Sequence, residues 1–179
     1  MYSRQECVKK YGSDYYVSQE IAAGKLFKLD KNVYSDIENV PEIAILSYKY
    51  PRAVITMQTA FYIHDLTDTY SDVYDFATDR DAAKIPDDRI RQYFVPGDLF
   101  LLGIETMNYR GCQISIYNKE RMLVELIRYK SKLPYDYYKE IILNYRKLIP
   151  TLDIQQVQDF ALASPKSSMI LEILQSEVF

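Results

Sequence analysis

Cys112-Gln113-Ile114-Ser115-Ile116-Tyr117-Asn118-Lys119-Glu120-Arg121-Met122-Leu123-Val124-Glu125-Leu126-Ile127-Arg128 changes period once. Before Asn118, apolar residues alternate, which predicts a strand. After it, Met122, Leu123, Leu126 and Ile127 recur at helical spacing, and Asn118 stands where a helix needs its N-cap. Glu125 lies four residues after Arg121 and three before Arg128, so the exposed side of this helix is expected to carry its own ion pairs. Upstream, Leu99 to Met107 reads as the other arm of a hairpin turning at Tyr109-Arg110-Gly111. A hairpin that runs straight into an amphipathic helix predicts an α+β fold.

Downstream the pattern stays helical. Pro134 breaks the chain, and Asp136 is expected to cap a helix carrying Tyr138, Ile141, Ile142, Tyr145, Leu148 and Ile149. Pro150 stops it, Asp153 caps a third helix, and Ser164-Pro165 precedes a fourth with Met169, Ile170, Ile173 and Leu174. Towards the amino terminus, Val73–Thr78 and Ile90–Val95 read as strands. Thr56 is expected to cap a helix with Met57, Ala60, Phe61 and Ile63, and Pro41 and Pro51 bracket an apolar helix from Glu42 to Tyr50.

The first residues predict a helix from Ser3 to Tyr11, ended by Gly12. A second, capped by Asp14 or Ser18, carries Val17, Ile21 and Ala22 and ends at Gly24. Lys25–Leu29 and Val33-Tyr34 then flank Asp30-Lys31-Asn32, a small hairpin signal. The expected architecture is a short winged-helix-like module over residues 1–40. A domain over residues 41–179 follows, with a small, mostly antiparallel sheet and a C-terminal helical bundle.

With 179 residues, 48% of them hydrophobic, the chain has material for one real core, and global disorder is not expected. The net charge of −3 means that any nucleic-acid binding must come from a local patch. Eighteen tyrosines and no tryptophan predict rings at the core edge or on a protein contact surface. Cys7 and Cys112 are too few and too far apart for a disulfide framework or a zinc set, so reduced thiols and a cytoplasmic location are expected. Met1 to Glu6 lacks the apolar core of a signal peptide, and no apolar run reaches the ~18 residues needed to span a bilayer.

Catalytic patterns are sparse. His64 is the only histidine and lies inside an apolar helical pattern, and no G-x-S-x-G elbow is present. Five glycines form no phosphate-binding loop. Residues 65–88 hold eight aspartates against Arg80 and Lys84, net −6, with no EF-hand spacing. A metal nuclease would need a lysine after Glu105-Thr106-Met107, downstream of Asp98. A nucleotidyltransferase would need an Asp-x-Asp pair soon after Gly12-Ser13. Both are missing. A non-enzyme without cofactor or metal is expected. Two basic stretches remain: residues 1–34, net +2, and residues 119–147, net +4. Each reads as a solvated face or as a surface for a charged partner.

Three phrases, in order, resemble the AbiEi-like abortive-infection antitoxin family. Gly24-Lys25-Leu26-Phe27-Lys28-Leu29, followed by Asn32-Val33-Tyr34, looks like the family's wing, with Asn32 at the usual glycine. Ala53 to Asp68, which includes Thr59-Ala60-Phe61-Tyr62-Ile63-His64-Asp65-Leu66-Thr67, is similar to its Ser-Ala-Leu-x-x-His-Gly-Leu-Thr phrase. Gly103 through Gly111 and on to Tyr117-Asn118-Lys119-Glu120-Arg121-Met122-Leu123-Val124-Glu125-Leu126-Ile127-Arg128 resembles its strand and Glu-Arg-Thr-x-x-Asp-Leu helix. Met122 and Glu125 stand at the usual Thr and Asp, and Tyr145-Arg146 continues the likeness. The resemblance runs from Tyr11 to Ile149.

That likeness implies a type IV toxin–antitoxin regulator. Its winged helix would bind inverted repeats in its own promoter, and its C-terminal domain would counteract a nucleotidyltransferase-like toxin, directly or functionally. A homodimer is one expected state. Lys25, Lys28 and Lys31, backed by Lys9 and Lys10, are the expected DNA contacts, since Ser18 to Ala23 offers Gln19 and Glu20 and no cation. Arg121, Arg128, Tyr129, Lys130 and Lys132 are the expected antitoxin or partner face. Arg121 has the alternative role of a buried anchor paired with Glu125. The alternative functions are an interaction module that has lost DNA binding, and a nuclease or transferase relic using Asp98 and Glu105.

Overall fold

The computed structural model describes residues 1–179. The chain is α+β and forms two compact units. Residues 1–51 with the hairpin tip 107–114 make the first, and 52–106 with 115–179 the second.

In the first unit, α1 (Arg4–Tyr11) is held by a reciprocal cap. The Glu6 amide donates to Ser3 Oγ at 3.3 Å and the Ser3 amide to Glu6 Oε2 at 2.7 Å. The next helix, α2 (Asp14–Ala22), is capped by Ser13, whose hydroxyl accepts the Tyr16 amide. Asp14 is therefore its first residue and Ser18 lies inside it, which corrects the expected cap by one position. A hairpin follows, β1 (Phe27–Asp30) with β2 (Val33–Ser35), and Asn32 turns it at φ 63°. Asn tolerates this left-handed backbone, and its Oδ1 also accepts the Arg4 amide at 3.0 Å. Tyr2 bridges Tyr34 through two 2.8 Å backbone bonds. Cys7 of α1, Val17 of α2, Leu26 just before β1 and Tyr34 of β2 form a small buried core, and Tyr2, Val8 and Tyr11 pack on it. Helix α3 (Glu42–Lys49) completes the sequence of elements, with Ile43 to Ser47 buried.

The second unit begins with β3 (Val54–Ile55) and α4 (Met57–Ile63). Thr56 occupies the N-cap of α4 as expected, its carbonyl accepting the Ala60 amide at 3.0 Å, but its hydroxyl makes no cap bond and instead meets Met122 Sδ at 3.8 Å. Strands β4 (Tyr74–Asp79) and β5 (Ile90–Val95) follow, then the short helix α5 (Gly97–Phe100) and the hairpin β6 (Ile104–Tyr109) and β7 (Cys112–Tyr117). The expected strand from Leu99 is thus a helical turn up to Phe100. Pro96 supplies φ −55° at its start, and Gly103 turns the chain at φ 75° before β6 begins. Arg110 and Gly111 both have positive φ, the geometry of a tight hairpin turn.

The five strands run in the order β5-β4-β3-β7-β6. The sheet is mixed, not mostly antiparallel: β3–β4 and the β6–β7 hairpin alternate with parallel β4–β5 and β3–β7. The reason lies in residues 80–89, which cross from the end of β4 to the start of β5 without a helix. Gln92 pins that crossing. Its amide donates to Thr78 Oγ1 at 2.7 Å and to the Ala83 carbonyl at 3.2 Å, and its carbonyl accepts the Ile85 amide at 2.8 Å.

Helices α6 (Lys119–Arg128), α7 (Tyr135–Leu148), α8 (Ile154–Ala163) and α9 (Ser167–Ile173) form the C-terminal bundle. Asn118 and Asp153 cap α6 and α8 as the spacing predicts, each accepting an amide three residues on. Asp136 does not cap α7. Pro134 occupies the N-cap, and Asp136 sits in the first turn, where a carboxylate favours the helix dipole. Met122, Leu123, Leu126 and Ile127 of α6 and Ile141, Ile142 and Tyr145 of α7 are buried, as their period requires. No helix is long and apolar enough to cross a membrane.

Candidate functional site

The α6 helix sets the site. Arg121 is fully buried. Its Nη1 donates to the Leu99 carbonyl at 2.6 Å, and Nε and Nη2 donate to Glu125 Oε1 at 3.0 and 2.5 Å. The guanidinium also lies 5.1 Å from the Tyr117 ring centroid. Tyr117 donates its hydroxyl to the Phe100 carbonyl at 2.8 Å. Arg121 is thus taken off the expected partner face. It ties α6 to α5 and pairs with Glu125 inside the core, the anchoring role, so this ion pair is not on the exposed side of the helix where the spacing predicts it.

The same Glu125 oxygen accepts Arg128 Nη1 at 2.7 Å. One carboxylate therefore faces two guanidiniums, and one positive charge stays uncompensated. Arg128 retains part of its side chain in solvent. Beyond it the chain makes a 3₁₀ turn, Lys130–Lys132. Lys130 pairs with Glu177 Oε1 and lies 5.0 Å from the Tyr138 ring centroid. Tyr138 donates to Glu177 Oε2 at 2.7 Å, and Arg146 Nε donates to the Glu177 carbonyl at 2.7 Å. Burial alone pushes the Glu177 carboxyl up, yet Lys130, the Tyr138 hydroxyl and Arg146 outweigh it and hold it below its usual range.

Arg128, Lys130 and Lys132 line one groove of about 600 Å³. Lys166 joins them from the turn before α9, and Tyr135, Tyr138, Met169 and Ile173 supply apolar walls. Lys132 lies 5.0 Å from the Tyr129 ring centroid. Four cations stand around this groove against Glu125 and Glu177, and Glu125 is already shared with Arg121. By its charge and walls, such a surface would suit an anion flanked by apolar groups: an acidic peptide segment or a phosphate. Sequence reasoning found three of its cations. It missed Lys166, because only the return of α9 beside the 3₁₀ turn brings that residue in. Tyr129 is placed apart from this groove, edge-to-face with Tyr93 at 6.0 Å.

In the first unit, Lys9, Lys10, Lys25, Lys28 and Lys31 are all exposed. Lys10 is engaged: its ammonium lies 4.5 Å from the Tyr2 ring centroid and 5.2 Å from that of Tyr11. Lys25, Lys28 and Lys31 follow the hairpin, where no acidic partner holds them. The outward face of α2 carries Tyr15 and Tyr16, 66% and 54% exposed, with Gln19 bonded to the Tyr15 hydroxyl at 2.8 Å.

The remaining candidates carry no assembled chemistry. His64 is buried, with Nε2 donating to the Tyr117 carbonyl at 2.7 Å, and no carboxylate or nucleophile meets its ring. Asp98 is exposed on α5, and Glu105 is half-buried on β6, its carboxyl pushed up by burial and then by Glu120. No three His, Cys, Asp or Glu side chains gather in a metal-holding group. Both cysteines are free. No family model matches the chain, and no curated protein matches it.

Proposed function

We propose that this chain is a non-enzymatic antitoxin and transcriptional regulator of a phage-defence toxin–antitoxin locus, akin to the AbiEi-like family and acting in the cytoplasm. The observation that carries the reading is the groove after α6. Arg128, which ends the family-like phrase, and Lys130 and Lys132 just beyond it share one concave, apolar-walled surface with Lys166. In this reading that groove meets an acidic surface of a nucleotidyltransferase-like toxin.

Support for the DNA-binding half is the order of elements in the first unit. Two short helices lead into a hairpin, and Tyr2 adds a bridge to its second strand, as in a winged helix reduced by one helix. Lys25, Lys28 and Lys31 along the hairpin would contact phosphates of promoter inverted repeats.

The test has two arms. The chain should retard its own upstream DNA at low salt, and replacing Lys25, Lys28 and Lys31 with Gln should abolish this. In cells expressing the neighbouring toxin gene, the chain should restore growth, and the double variant Lys130→Glu, Lys132→Glu should not, while still retarding DNA. Absence of retardation at low salt removes the regulator; rescue that survives the double variant removes the groove. One observation favours a second reading, in which the first unit is an interaction module: α2 offers exposed tyrosines where a DNA reader offers cations.

A further inference from the structure

We propose that the outer strand β5, with the cavity beside it, is a docking site for an extended peptide of a partner protein, one carrying an aromatic side chain and a Lys or Arg two residues along. The cavity shares Lys132 and Leu133 with the basic groove, but the edge strand takes no part in that groove, and the proposal stands whether or not the chain is an antitoxin.

The strand is open along one side. β5 is the last strand of the sheet, and β4 pairs with it in parallel register from Tyr74↔Ile90 to Asp79↔Val95. Two bonds fix the phase: the Tyr74 amide donates to the Arg89 carbonyl at 2.7 Å, and the Arg80 amide to the Val95 carbonyl at 2.8 Å. Residues 89, 91, 93 and 95 therefore bond to β4, and the amides and carbonyls of Gln92 and Phe94 face the open edge. An added strand satisfies those groups and sends alternate side chains to one face.

On that face lies a cavity of about 970 Å³ that Gln92 and Phe94 border. Its floor is aromatic: Tyr93 meets Tyr129, and Phe61 meets Tyr137 edge-to-face at 6.5 Å. The Tyr137 hydroxyl is buried there without a hydrogen-bond partner.

Charge selects the occupant. Asp75 and Arg91 close on each other, Nε to Oδ1 at 2.6 Å and Nη2 to Oδ2 at 3.0 Å, and Oδ2 also accepts the Gln58 amide at 2.9 Å. This pair contributes no net charge. Asp136 and Glu140 on α7 then face the cavity against Lys132 alone, and Lys132 is already set on the Tyr129 ring. An excess carboxylate disfavours a nucleotide or nucleic-acid strand, for all its liking for aromatic floors, and favours a cationic side chain.

The probe is a fluorescent, end-blocked nonapeptide, Ser-Thr-Val-Tyr-Thr-Lys-Val-Thr-Ser, with a twin holding Glu in place of Lys. Titrated with the full chain, the Lys peptide is expected to bind at least tenfold more tightly than the twin, and the Gln92 and Phe94 amides to exchange more slowly when it is bound. Phe94→Pro, a proline at an outward edge amide, should abolish binding. The double charge reversal Asp136→Lys, Glu140→Lys, made at the helix surface, should invert the preference between twins. No binding at 1 mM, equal binding of the twins, or binding unchanged in either variant overturns the proposal. So does a dimer of the free chain that Phe94→Pro dissociates, since the edge would then belong to a second copy.

Discussion

Arg121 and His64 are the buried ionisable residues whose partners best explain their positions. Arg121 satisfies the Leu99 carbonyl and Glu125 at once. Arg121→Met would fill much of the volume but strand that carbonyl and leave Glu125 to Arg128 alone. The expected loss is about 3–5 kcal/mol, the range for breaking a buried pair, read as a shift in the urea midpoint. Arg121→Lys should lose stability too, because one ammonium cannot reproduce the planar fork. A loss under about 1 kcal/mol for both would show that the anchor holds little. His64 gives a pH prediction. Burial lowers its pKa, against the pull of the Tyr117 carbonyl, so the folded chain keeps it neutral. As pH falls below the ordinary histidine value of 6.5, the unfolded chain takes up a proton first. Stability from this group is therefore complete above that pH and is lost as pH falls towards the lowered folded value. The slope is roughly 1.4 kcal/mol for each pH unit in which only the unfolded chain is protonated. His64→Gln, which keeps a donor for Tyr117, should flatten the decline in urea midpoint between pH 7.5 and pH 5; an unchanged decline would assign the slope to carboxylates.

At the scale of elements, the hairpin-to-helix junction is where the second unit is most tightly specified. The Asn118 amide donates to the Gly103 carbonyl at 2.7 Å, and Asn118 Oδ1 caps α6. Gly103 has φ 75°, and a Cβ there would stand 2.6 Å from Arg121 Cβ and 2.8 Å from Asn118 Oδ1. Gly103→Ala is expected to cost about 2–4 kcal/mol, from left-handed strain and overpacking together. Gly111 shares the positive φ but has nothing within 4 Å, so Gly111→Ala should cost only about 1 kcal/mol. Equal losses in thermal or urea unfolding would mean that the close approach at Gly103 relaxes. Asn118→Ala should cost about 1 kcal/mol. This junction was readable because its signals are local: alternation, a cap and a 3.6-residue period. The β4–β5 pairing was not. Its parallel sense depends on where residues 80–89 cross, and that is set by Gln92 reaching Thr78, Ala83 and Ile85. A short helix-free link reads locally as a hairpin. The basic groove was legible in part for the same reason. Arg128, Lys130 and Lys132 are neighbours in sequence, whereas Lys166 arrives through the packing of α9.

At the scale of the molecule, net charge decides how DNA could be held. A chain of net charge −3 does not gather DNA through its overall field, so the exposed lysines of the hairpin must act at contact range. If Lys25, Lys28 and Lys31 each displace one counterion, the logarithm of affinity falls against the logarithm of salt with a slope of about −2.7. Raising salt from about 50 to 200 mM then weakens one module by roughly 40-fold. An inverted repeat offers two sites. Two modules bound together double the slope to about −5.4, and the same change of salt weakens binding by roughly 2,000-fold. Fluorescence anisotropy on a full repeat and on a half-site separates the cases. A doubled slope on the full repeat, with the half-site near −2.7, is the expected result for paired modules, and equal slopes mean that one module binds at a time. A slope near zero on both would remove hairpin-lysine contacts to phosphate, and the exposed tyrosines of α2 would then be the better guide to what the first unit touches.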